Sequence, residues 1–137
     1  MNRSLVVIML FVLFFSTTIL FAEEAEMPNF KNPPVRYESQ YGDELLIGDR
    51  SSKQLTFWFH LTGANYHVCS MAGTAIAEDK YTYATIADCL LRIKIVGDYA
   101  ILIDDCGECQ KKHCGSRASI SGATFIKKKL ANAKENK

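Results

Sequence analysis

Gln54-Leu55-Thr56-Phe57-Trp58-Phe59-His60-Leu61-Thr62 is the stretch that decides the fold. Leu55, Phe57, Phe59 and Leu61 share one parity; Gln54, Thr56, Trp58, His60 and Thr62 share the other. Successive side chains of an extended chain point to opposite faces, so a period of two marks a half-buried strand, whereas a helix repeats near 3.6. Trp58 and His60 on the second parity leave two readings. Either that face is covered as well, which we favour, or it forms an exposed aromatic patch suited to a partner.

The same pattern continues outward. Tyr66 to Ile76 is β-compatible though studded with Ala and Gly, and Glu78-Asp79 marks a turn into Tyr81 to Ile86, which alternates again. Cys89, Leu91, Ile93 and Ile95 then line one face with Arg92 and Lys94 on the other. Gly97-Asp98 supplies a two-residue turn into Tyr99 to Asp104, the clearest hairpin of the chain. A last strand is expected from Ala118 to Ile126, bent at Gly122. Helical periodicity is confined to a weak signal in the final dozen residues.

Six or seven or more short strands at turn spacings of roughly 8–12 residues predict an all-β domain. A small antiparallel β-barrel is favoured over a β-sandwich, because closing the sheet removes edges that invite aggregation.

The chain starts with Arg3, an apolar run from Leu5 to Phe21, and Ala22 followed by Glu23 and Glu24. That order is the layout of a secretory signal peptide over residues 1–22, cut after Ala22. Retention as an anchor is the alternative, although the run is at the short end of what spans a bilayer. Residues 23–34, acidic and holding Pro28, Pro33 and Pro34, read as a flexible segment. The β domain then occupies residues 35–127 and a basic tail residues 128–137.

Losing the leader removes Arg3 and no acid, leaving 15 basic and 15 acidic residues. A balance this even supplies no long-range field for nucleic acid, so no nucleic-acid partner is expected. A membrane is expected as a partner only if the leader is retained. No Asn-x-Ser/Thr acceptor follows the leader, which fits export in a bacterium to the periplasm or beyond.

Five cysteines, at 69, 89, 106, 109 and 114, read in an exported chain as a disulfide framework. Cys69 and Cys89 fall on adjacent expected strands and are paired on that ground. Cys109 pairs with Cys114 across a short gap, with Cys106–Cys114 the alternative, and Cys106 is left as a free thiol. Two sharper chemistries compete. Cys106, Cys109, His113 and Cys114 have zinc-ligand chemistry, but His113 and Cys114 are adjacent and lack the spacer such pairs use. Cys106-Gly-Glu-Cys109 has the spacing of a redox motif without the surrounding βαβ pattern.

Nothing else commits the chain to catalysis. Asp104 and Asp105 are neighbours and on a strand would face opposite ways, and a Cys106–His nucleophile with His60, His67 or His113 has no supporting signature. No catalytic residue, metal or cofactor is assigned.

Ser121-Gly122-Ala123-Thr124-Phe125 resembles the Ser-Gly-x-x-Tyr segment of the periplasmic inhibitors of C-type lysozyme, with Phe in place of Tyr. The match spans five residues and lies nearer the C-terminus than in that family. The resemblance implies a small exported β-barrel whose loop enters an enzyme cleft, with Ser119, Ser121, Gly122, Thr124 and Phe125 as candidate binding residues. Taken alone, the same five residues also suit a glycine-bent core strand. The expectation is thus an exported, non-catalytic binding module, an inhibitor or immunity-type protein whose partner is an envelope-targeting hydrolase. A thiol-redox or zinc protein centred on Cys106, Cys109, His113 and Cys114 is the alternative.

Overall fold

The computed structural model describes residues 24–86, 88–115 and 117–129. The expected leader, and residues 130–137 of the dozen that carry the weak helical signal at the C-terminus, lie outside the described residues. Among these residues eight strands follow one another: β1 (Val35–Glu38), β2 (Glu44–Gly48), β3 (Gln54–Thr62), β4 (Val68–Ala77), β5 (Thr82–Thr85), β6 (Arg92–Val96), β7 (Tyr99–Ile103) and β8 (Thr124–Lys127). Each pairs antiparallel with the next, and β8 returns to β1, closing a barrel and excluding the sandwich. One short helix, α1 (Glu108–His113), sits between β7 and β8.

Alternation sends one parity of every strand inward. Leu55, Phe57 and Phe59 of β3 meet Leu45 and Ile47 of β2, Met71 of β4, Ile93 and Ile95 of β6, Leu102 of β7 and Phe125 of β8 in a single core. Burying a side chain of this size is worth about 1.5–3 kcal/mol, so the inward row of β3 is the largest single contribution of any strand. The Gly97-Asp98 turn forms as expected, with Gly97 at φ 59° where a side chain would be strained.

The outward face of β2, β3 and β4 is covered as well, but not by a second sheet. Residues 24–34 carry no regular structure and lie across it. The Trp58 indole Nε1 donates to the Ala25 carbonyl at 2.9 Å, the Ala25 amide donates to Ser70 Oγ at 2.6 Å, and Glu24 Oε1 sits 3.0 Å from His60 Nδ1. The Phe30 ring fills the notch left by Gly48, where a Cβ would stand only 2.1 Å from it. Asp49 accepts from the Lys31 amide and the Asn32 side chain. Leu46, Trp58 and Ser70 are buried on the outside of the barrel as a result.

Three expectations are corrected. The last strand is shorter than expected, starting at Thr124, because Ala118 and Ile120 leave the sheet and turn inward. Tyr66 belongs to a 3-10 turn (Ala64–Tyr66) and β4 starts at Val68. The cysteines paired from sequence exchange partners: the disulfides are Cys69–Cys114 and Cys89–Cys109, and Cys106 is a free, exposed thiol. The reason lies in register. β5 is short and pairs only with Ala75, Ile76 and Ala77, so the Cys69 end of β4 has an open side, where Cys114 forms an isolated antiparallel bridge.

Candidate binding surface at the disulfide-clipped end

Because neighbouring strands are antiparallel, the β1–β2, β3–β4, β5–β6 and β7–β8 connections all emerge at one end of the barrel. The longest of them, residues 104–123, folds over that end. Both disulfides hold it there, Cys114 to the start of β4 and Cys109 to the loop before β6. Cys109, Ala118 and Ile120 are buried beneath it and close the barrel mouth.

Polar contacts brace the same loop. The buried Asp104 accepts the Gln110 amide on Oδ2 at 2.8 Å, anchoring the first turn of α1. At the other end of α1, the Asp88 carboxylate accepts from Lys112 Nζ and lies against His113 Nε2, each at 2.9 Å. The Lys112 contact, foremost, and that of His113 hold the Asp88 carboxyl below the usual carboxylate range. The loop before β6 is therefore tied to α1 by sulfur and by charge.

The candidate residues are not brought together as a single set. Ser119, Ser121, Gly122 and Thr124 are exposed. Phe125 is fully buried inside the barrel, so it anchors the segment and offers no surface to a partner. Gly122 has φ 82°, its amide donates to the Leu102 carbonyl, and Thr124 Oγ1 donates to the Gly122 carbonyl at 3.1 Å. This is a tight, hydrogen-bonded turn.

Beside it runs a groove of about 360 Å³, between the β1–β2 turn on one side and β7–β8 on the other. Gly122, Ala123 and Thr124 line it together with Tyr41, Tyr99 and Ile126. Strand register explains why Tyr99 is there: it pairs with Ile126, which pairs with Glu38 at the end of β1. Tyr41 is 82% exposed on a turn braced by Ser39 Oγ, which accepts the Tyr41 and Asp43 amides, while Asp43 Oδ1 accepts the Thr62 amide. Alternation places Tyr99 at the start of a strand without bringing it to this surface, and Tyr41 lies outside the alternating segments. Ser39 and Asp43 flanking Tyr41-Gly42 were the available signal, since Ser and Asp four apart around a glycine favour such a turn.

The alternative chemistry loses its ligands here. Cys109 and Cys114 are bound to other sulfurs, and among the described residues no group of three His, Cys, Asp or Glu side chains is placed to hold a metal ion. Among the described residues, too, no helix is long and apolar enough to cross a membrane. The two disulfides point to an oxidising, extracytoplasmic setting. Comparison of the chain with protein-family models, curated proteins and solved structures gives no match.

Proposed function

We propose that this chain is an exported, non-catalytic binding module, acting in the periplasm or outside the cell, that docks its clipped end on an envelope-targeting hydrolase. One observation supports the reading above the others. The Ser121-Gly122 turn, which resembles the cleft-entering segment of lysozyme inhibitors, stands exposed beside a groove flanked by Tyr41 and Tyr99. Two disulfides and the Asp88 contacts hold the loop that carries it. A loop ordered before association loses little conformational entropy on binding, and exposed tyrosines supply contact area at low entropic cost.

Calorimetric titration of the purified, oxidised protein against C-type and other lysozymes tests the proposal. Saturable binding that Ser121→Arg weakens at least tenfold is the expected result. The proposal falls if the protein binds none of these enzymes, or if Ser121→Arg binds as well as the parent chain.

A further inference from the structure

We infer that the end of the barrel opposite the clipped loop rests on an anionic phospholipid surface, through a basic groove between β1 and β8, an inference that takes from the reading above only that the chain is exported. β8 leaves the clipped end at Thr124 and finishes at Lys127, and antiparallel β1 starts beside it at Val35. A groove of about 510 Å³ opens there. Its lining combines two chemistries. Pro33, Pro34 and Val35 are apolar, whereas Arg36, Lys127, Lys128 and Lys129 set four cations against one carboxylate, Glu38.

Part of that charge is already neutralised. Glu38 is shared by Arg36 at 3.0 Å and Lys128 at 2.6 Å, and Arg36 also reaches Glu44 at 2.9 Å. Lys127 and Lys129 are exposed and, among the described residues, make no ion pair. Their backbone is nevertheless held. The Lys127 amide donates to the Asp98 carbonyl at 2.8 Å, and the Lys128 amide to the Arg36 carbonyl at 2.9 Å. Two uncompensated ammonium groups therefore stem from a fixed stretch of chain beside Val35, which is 39% exposed.

The even charge balance of the chain supplies no long-range field, but a cluster acts within the screening length of about 8–10 Å. Near an anionic bilayer, lysines place their ammonium groups among the phosphates, while their stems and neighbouring apolar groups enter the boundary with the acyl chains. An acidic peptide would answer the cations and leave Val35 and the prolines in water. A phospholipid surface answers both. Past Lys129 the sequence adds Lys134 and Lys137 against Glu135 alone. A retained leader is not needed for this contact, and the Ser121-Gly122 turn, at the other end of the barrel, stays open to a partner.

The test is sedimentation of the exported chain, Glu23 to Lys137, with vesicles of phosphatidylcholine alone and of an equal mixture with phosphatidylglycerol. Binding to the mixed vesicles only, weakening as salt rises, is the expected result. Each basic side chain near such a surface strengthens partition about fivefold, so Lys127→Gln with Lys129→Gln should lose about twenty-five-fold while melting at the parent temperature. Val35→Ser should also weaken the binding. Failure of the parent chain to sediment with the mixed vesicles overturns the inference, as does a double lysine variant that sediments like the parent. If poly-glutamate binds the chain and Val35→Ser changes nothing, the groove takes an acidic polymer and the lipid assignment is wrong. Lysozyme titration of the double lysine variant should match the parent, so either proposal can fail while the other stands.

Discussion

Gly48→Ala isolates the contact between the N-terminal strap and the barrel. The added Cβ would stand 2.1 Å from Phe30 Cδ1, 2.9 Å from Cε1 and 3.0 Å from Cγ, so the ring has to leave its notch. Phe30 is half-buried. Full burial of a phenylalanine is worth about 1.5–3 kcal/mol, and losing half of it should cost about 1 kcal/mol, or about 4–8 °C in melting temperature for a domain of this size. Trp58 is the sole tryptophan and lies under the same strap, 8% exposed. Its emission should therefore shift to the red and become more accessible to acrylamide. A double-mutant cycle supplies the control. In a Phe30→Ala background the clash is gone, and Gly48→Ala should be neutral or stabilising by about 0.5 kcal/mol, because glycine within a strand is unfavourable relative to alanine. Equal destabilisation of both backgrounds would mean that the cost arises inside the barrel and that the strap contact is not its cause.

The two bridges differ in the loop they close, 45 residues for Cys69–Cys114 and 20 for Cys89–Cys109. In the chain-entropy model this corresponds to about 4 and about 3 kcal/mol, so denaturant melts of the two serine double variants should rank in that order, and the reverse order would refute it. Native alkylation should add one label, at Cys106, as read by mass spectrometry, and two or more labels would contradict the pairing. Asp104→Ala removes the acceptor of the Gln110 amide and should cost about 1–2 kcal/mol, measured by chemical unfolding; an unchanged midpoint would show that the contact is idle. Asp88 titrates below the ordinary carboxylate range when folded, so its contribution is present above about pH 4 and is lost as pH falls through the depressed folded value. Asp88→Asn should flatten that acid limb in pH-dependent melts, and an acid limb identical to that of the parent would count against the Lys112 and His113 contacts.

What the sequence determined by itself is local. The parity of Leu55, Phe57, Phe59 and Leu61, that of Cys89, Leu91, Ile93 and Ile95, and the Gly97-Asp98 turn are properties of neighbouring residues, and each is realised. Four-residue β1 and six-residue α1 were not legible as elements, because each is too short to display a period. What tertiary structure alone decided is whatever depends on register across the barrel. The reach of β5 left Cys69 facing Cys114, the return of β8 to β1 brought Tyr99 level with the Tyr41 turn, and the Gly48 notch gave Phe30 a seat. These pairs stand 45, 58 and 18 positions apart in the chain. Alternation states which face a residue takes, but only the closed ladder of hydrogen bonds states which distant residue shares it.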